Sequence, residues 1–383
     1  MKRRRVAAIL LMGIVVPLLA VYTGCKGGPK GAGNEVVVGV VGPFDGPNAY
    51  IGKEIMNSVK LYFDQHKSDL PVKLLAIDTK SNPSDAVAAM QAVASKSNLV
   101  ALIAFYHSST ALASKPIVQE AKLPALIYSA SNPTVTDNAP FYFRLVPTDD
   151  NQAVVLGDYA KSLGAKRTAI LYYADEYGKG LADGIEAHAG ANGFSVAAVK
   201  SYDATTTDFR PELTIIKAQK PDVIFICGFV DKSIAILNQA AEQGLKSKFL
   251  AGDGTFNEEQ LIAGAGKNAE GVYVAAPYVF DESNPKNESF LEAYWTAYQS
   301  GGARKKPSSW TAFAYDAAGI VDTAFRSNHR DRASIEEFLK AMKSPQTGYE
   351  GITGVTYFNQ KGDAVGRQFR LAVVKNQRFV VAQ

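Results

Sequence analysis

Residues 102–117 read LIAFYHSSTALASKPI: an apolar run that breaks off into His107-Ser108-Ser109-Thr110 before a helical pattern begins. A buried strand ending in this way sets its hydroxyls beside the unpaired N–H groups of the next helix's first turn, where an anion is favoured. The same hydroxyls have a plainer use, since Ser108 or Ser109 could cap that helix. Catalysis is the third reading, with His107 as base to a Ser108 nucleophile. Adjacent residues on an extended strand point to opposite faces, so the two side chains diverge and lie outside hydrogen-bond reach. No G-x-S-x-G elbow surrounds Ser108, Ser129 or Ser131.

The alternation extends in both directions. Upstream, EVVVGVVGPF and PVKLLAIDTK read as strands, and IGKEIMNSVKLYFDQHK carries Ile51, Ile55, Val59 and Tyr62 at helical spacing. NPSDAVAAMQAVASKS is a helix with Ser84 or Asp85 near its start, and NLVALIAFY and LPALIYSA are further strands. After FYFRLVPTDD the series restarts. AKRTAILYYA, FSVAAVKSYD, PDVIFICGF and KFLAGDG are strands separated by helical segments. Such alternation implies right-handed crossovers and mainly parallel sheets, and two runs of it predict an α/β protein of two similar lobes. Three more helices follow GVYVAAPYVF, and the close reads as antiparallel strands joined by Asn-Gln-Lys-Gly-Asp and Lys-Asn-Gln turns.

The amino terminus is separate from this pattern. MKRRR, then VAAILLMGIVVPLLAV, then YTGC has the order of an export signal over residues 1–24. Cys25 stands where a lipoprotein signal places its acylated cysteine, although Tyr22 occupies the position three residues earlier that usually holds Leu. Residues 25–35 form a Gly-rich tether. The other cysteine, Cys227, lies in an apolar run and reads as a small buried hydrophobe. A chain of 383 residues exceeds one core, and a formal charge of +4 without a basic run interleaved with aromatics argues against nucleic acid as a partner. The four histidines have no metal-ligand spacing, AGAGKN lacks most of a phosphate loop, and GDGTFN lacks the third glycine of a dinucleotide fingerprint. No cofactor, metal or catalytic site is expected.

In this order, VVVGVVGPFDGPNAYIGKEIMNSVKLYFD, ALIAFYHSSTALASKPIVQEAKLPALIYSASNP, FYFRLVPTDDNQ, LYYADEYGKGLADGIEAHAGANG and FLAGDGTFNEEQLIAGAGKNAEGVYVAAPY resemble the type I periplasmic binding proteins of the branched-chain amino-acid transport group. The likeness covers nearly everything after residue 35. It implies a two-lobed clamp whose chain crosses between lobes three times, near Thr148, Pro277 and Gly354. Residues 36–148 and 278–354 would form the first lobe, 149–277 and 355–383 the second.

The resemblance also implies a non-enzymatic, monomeric, exported protein. It would bind an amino acid or similar small molecule between the lobes and deliver it to the permease of an ABC importer, from a lipid anchor at Cys25. A sensor for a small amide or carboxylate is the alternative. Carried over by position, Ser108 holds a ligand carboxylate with Ser109 beside it. Ser129 offers a backbone carbonyl to an ammonium, and Ser131 a hydroxyl and N–H. Tyr177 closes from the second lobe and Phe229 walls the pocket. Where relatives place an acid for the ammonium, this chain reads GFVDK, with Lys232 at the aligned position and Asp231 before it. Asp253 in GDG is a second candidate for that contact or else a turn residue, and Tyr50 either covers the ligand or packs beside the loop.

Overall fold

The computed structural model describes residues 35–382, apart from 68, 69, 300, 301 and 303. The expected signal segment, Cys25 and almost all of the tether lie outside the described residues. Strands β1 (Val36–Gly42), β2 (Val72–Asp78), β3 (Leu99–Ala104), β4 (Ala125–Ile127) and β5 (Tyr142–Arg144) form one sheet, ordered β2-β1-β3-β4-β5 and parallel throughout. A second sheet contains β6 (Arg167–Tyr173), β7 (Ser195–Tyr202), β8 (Val223–Cys227), β9 (Lys248–Ala251) and β10 (Tyr273–Ala276) in parallel. After a small hairpin, β11 (Tyr349–Gly351) and β12 (Gly354–Thr356), the chain adds β13 (Arg370–Lys375) and β14 (Arg378–Val381) antiparallel at its edge. The order there is β14-β13-β10-β9-β8-β6-β7.

Helices cover both faces of both sheets, which is why β1 and β8 are continuous apolar runs, buried along their whole length. On the first sheet, α1 (Ala49–Gln65), α9 (Pro285–Tyr298), α10 (Trp310–Arg326) and α11 (Arg332–Ala341) pack on one face. On the other lie α2 (Pro83–Val93) and α3 (Ser108–Glu120). The second sheet has α4 (Asp149–Ser162) and α5 (Glu176–Asn192) on one face. Its opposite face carries α6 (Arg210–Ala218), α7 (Val230–Glu242) and α8 (Glu258–Ala265). Cys227 is buried in the core between β8 and α5, as its apolar surroundings predict.

Ser84 and Asp85 lie in the first turn of α2 as expected, and Asn82 before them is the cap, its side chain accepting from both of their N–H groups. Tyr142–Arg144 is a strand. The acidic pair Asp149-Asp150 forms the first turn of α4, where Thr148 is the cap and the helix dipole favours negative charge.

The chain does not cross at Gly354. Phe358 packs in the core of the first sheet, and Asp363 pairs with Arg144 at 2.7 Å, so the return to the second sheet comes only before Arg370. The cause is Arg144, whose guanidinium is fully buried and must be satisfied inside the protein. It donates to Asp363 through Nε and Nη2, to the carbonyls of Ser131 and Asn132 through Nη1, and to Thr136 Oγ1. One side chain thus fixes the loop after β4 and holds the 359–363 turn against β5. Replacing Arg144 with Met should strand Asp363 and two carbonyls and cost about 3–5 kcal/mol of stability, read from urea midpoints.

Candidate functional site

The sites predicted from strand ends do converge, because the carboxyl ends of both parallel sheets face one cleft. An inner pocket there is nearly filled by its own lining, with a cavity volume of only about 10 Å³. Tyr106, His107, Ser108, Ser129, Ser131 and Trp310 wall it from the first sheet's side. Tyr177, Phe229, Asp253 and Gly254 wall it from the second. It opens to a wider mouth that includes Ser109, Asp175, Asp231 and Lys232.

The approach of the chain is set by Phe105. Its φ of 66° lies in the left-handed region that bulky residues avoid, and full burial of the ring holds it there. The bend turns Tyr106, His107 and Ser108 off the end of β3 toward the cleft. Neither expected capping role is realised, since His107 occupies the cap position of α3 without a side-chain hydrogen bond to the helix. The Ser108 hydroxyl instead accepts from Asn132 N–H at 3.2 Å, across to the loop after β4. Asn132 reaches the second lobe as well, its amide donating to the Glu176 carbonyl at 2.6 Å. That approach needs glycine at position 180, where a Cβ would lie 2.5 Å from Asn132 Nδ2.

Opposite the serines the pocket is acidic. Asp253 is buried, accepting from the Tyr177 hydroxyl at 2.6 Å and from Gln152 Nε2 at 3.0 Å. The same Gln152 amide donates to buried Asp149 at 2.9 Å, and its oxygen accepts from Asp253 N–H. Burial pushes the Asp253 carboxyl up to about 6, and burial together with the Asp253 charge raises Asp149 well above the carboxylate range. The two carboxyls are bridged by a neutral amide; the Arg144 charge acts on Asp149, and among the described residues no cation is paired with Asp253. His107 opposes them electrically in no way, because burial holds its imidazole down to about 4 and keeps it neutral.

Other expected contacts are placed differently. Asp231 lies at the cleft mouth with its side chain 64% exposed. Lys232 turns away to donate to the carbonyls of Ala204 and Thr206. Tyr177 lines the pocket with its ring, but its hydroxyl is committed to Asp253 and to Gly254 N–H. Tyr50 lines neither pocket nor mouth; its hydroxyl accepts from Asn257 Nδ2 at 3.3 Å, joining α1 to the cap of α8. Ser129 and Ser131 reach the pocket, and Phe229 forms its aromatic wall with Tyr177 at 5.3 Å and His107 at 5.0 Å between ring centroids.

A protein-family model described as periplasmic binding protein matches residues 35–378. The chain belongs to that family. Its members bind ligands without transforming them, which accords with a pocket where Ser108 pairs with a backbone N–H and not with His107. An amino acid binding protein of Pseudomonas aeruginosa is 26% identical over 341 residues, covering 86% of this chain and 87% of its own. A leucine-, isoleucine-, valine-, threonine- and alanine-binding protein of the same organism is 24% identical, covering 87% and 88%. Among solved structures, a leucine binding protein from Thermotoga maritima superposes with a TM-score of 0.83 at 27% identity, covering 91% of this chain and 98% of that one. A solute binding protein from R. palustris in complex with benzoate shares the fold at a TM-score of 0.80 and 19% identity, over 91% and 95%.

In this periplasmic binding protein, sequence reading had not singled out Tyr106, Trp310, Gln152 or Asp149 for the site. Tyr106 reads as the last residue of the strand NLVALIAFY, whereas β3 ends at Ala104 and leaves Tyr106 in the turn that leads into α3. Trp310 opens α10 and follows no strand, so the strand-end rule does not reach it. Gln152 and Asp149 lie on the first turns of a helix whose burial only the packed structure reveals.

The raised Asp253 carboxyl has a thermodynamic sign. The folded state holds its proton up to about pH 6, the unfolded chain only to about 4, so the group's contribution to stability is lost as pH rises through that window. Without ligand, the stability of wild type relative to Asp253→Asn should fall by about 2 kcal/mol between pH 4 and pH 7, measured by urea unfolding.

Proposed function

We propose that this protein binds an α-amino acid or a close relative between its lobes, as the substrate-binding component of an ABC importer, and passes it to the membrane permease. The arrangement that carries this reading is the buried, uncompensated Asp253 across the pocket from Ser108, Ser131 and the start of α3. A buried carboxylate calls for a cation, and hydroxyls with helix-start N–H groups can take an anion from water without a buried counter-charge. A zwitterion satisfies both ends at once. The names of the Pseudomonas and Thermotoga relatives support the same ligand class.

In this proposal Asp253, rather than exposed Asp231, meets the ammonium. Ser109 at the mouth and Tyr50 above α8 contribute to closure and not to ligand contact. The lobes comprise residues 36–148 with the segment from 278 to about 365, and 149–277 with the terminal strands. The protein is exported to the periplasm, monomeric, and held at the membrane by lipid on Cys25, following the signal-then-cysteine order of its amino terminus. Ligand makes contacts in the closed clamp that the open one lacks, and this differential affinity is what shifts the population toward closure.

Calorimetry with an amino-acid panel, on protein freed of co-purified ligand, tests the proposal. Binding of at least one amino acid is expected; silence across the panel would remove the amino-acid reading. Asp253→Asn should weaken that ligand by tenfold or more, while Asp231→Asn changes it less than threefold, in keeping with a paired charge worth far more when buried than when exposed. Affinity should hold above about pH 6 and fall toward tenfold per unit below it, as Asp253 takes up its proton. Gly180→Ala, by pressing on Asn132, should weaken binding with the pocket residues unchanged.

A further inference from the structure

Among the described residues that line the pocket, His107 carries a fully buried ring nitrogen with no hydrogen-bond partner. Its ring is 5% exposed and stands on the wall shared by the inner pocket and the cleft mouth. The unpaired nitrogen is Nδ1. The position is a helix cap, where a side chain would normally turn back onto the N–H groups of the first turn, yet no such bond forms. Instead the ring is held edge-on between Tyr106, at 4.6 Å, and Phe229 of the opposite lobe, at 5.0 Å. Buried polar atoms in folded proteins are nearly always paired, and one left unpaired on the wall of a cleft calls for a partner.

The rest of the wall narrows what that partner can be. None of the ten pocket residues is Leu, Ile, Val or Met. Rings and hydroxyls make up most of the lining, so a hydrocarbon side chain would meet aromatic faces and polar groups but no aliphatic neighbour. Among the described residues no side chain or backbone group bonds to Nδ1, so its partner has to come from elsewhere.

We propose that His107 is a ligand contact through Nδ1, and that it makes this pocket select small amino acids with a hydrogen-bonding side chain over their aliphatic isosteres. The inference rests on the amino-acid reading given above and adds the side-chain class to it. A neutral imidazole offers a donor on one nitrogen and an acceptor on the other, so a hydroxyl or a carboxamide can meet it in either tautomer. An aliphatic group of the same shape would seal Nδ1 against hydrocarbon and leave it unpaired, and sites built to bond a polar group reject the analogue lacking it far more strongly than apolar sites reject an added hydroxyl.

The test compares isosteric pairs, threonine against valine and asparagine against leucine, by calorimetry at pH 7.5 on the full protein freed of bound ligand. Wild type should bind the polar member of at least one pair ten times or more tighter. His107→Phe, which keeps a ring and loses both nitrogens, should erase that margin, and His107→Gln should retain part of it. Because the variants could disturb α3, the wild-type protein labelled with ¹⁵N-histidine gives an independent reading: the His107 ring-nitrogen signals should move on adding the polar ligand. Equal or tighter binding of valine and leucine, a margin unchanged in His107→Phe, or ring-nitrogen signals that ignore the ligand would each overturn the inference while leaving amino-acid binding intact. Absence of binding by all four, and by the remaining amino acids, would overturn the amino-acid reading itself.

Discussion

Two parallel sheets with their carboxyl ends turned toward one another impose most of what this molecule can do. Every strand in such a sheet must be followed by a crossover that starts at that same end, so the first residues of each crossover gather at the cleft whatever their identity. Phe229 and Asp253 come two residues after β8 and β9, Ser129 and Ser131 two and four after β4, and Ser108 four after β3. Helix starts come with them, and with helix starts come unpaired N–H groups. A site for a small polar ligand is therefore nearly a consequence of topology, and the sequence has only to choose its chemistry.

Holding that site in shape is a separate problem, and charge buried in the first lobe solves it. The guanidinium of Arg144 has its bonds filled by one carboxylate, two carbonyls and a hydroxyl. Those partners come from the loop carrying Ser131 and from a turn more than 200 residues later in the chain. A network so completely paired is rigid because losing any member leaves a buried charge alone. The second lobe uses a different device: Gln152 and Tyr177 position Asp253, and Gly252 allows their approach, since a Cβ there would sit 2.5 Å from the Tyr177 hydroxyl. Asp253 is consequently fixed in direction but not neutralised.

The two walls have complementary deficits. One offers donors, a neutral imidazole and no charge; the other offers carboxyl groups and no cation. Contacts already cross between them through Asn132 and Glu176, and through Tyr50 and Asn257. In the function proposed above, closure brings those deficits within reach of one molecule, which would be the physical basis for a clamp that responds to ligand.

The sequence by itself determined the α/β class, the two runs of strands and helices, and the strand ends that bear Ser108, Ser131, Phe229 and Asp253, because hydrophobic periodicity and strand-to-helix breaks are local properties. It left open whether Asp231 or Asp253 faces inward, put the third crossing at Gly354, and passed over Gln152, Arg144 and Trp310. Each of these depends on which side of a helix is buried or on which distant turn supplies a partner. A helix such as α7 presents Asp231 to solvent and Ile236 to the core according to its rotation against the sheet, and that rotation is settled by packing across the whole lobe. Only the tertiary structure could decide it, since burial is a property of the assembled protein and not of any stretch of the chain.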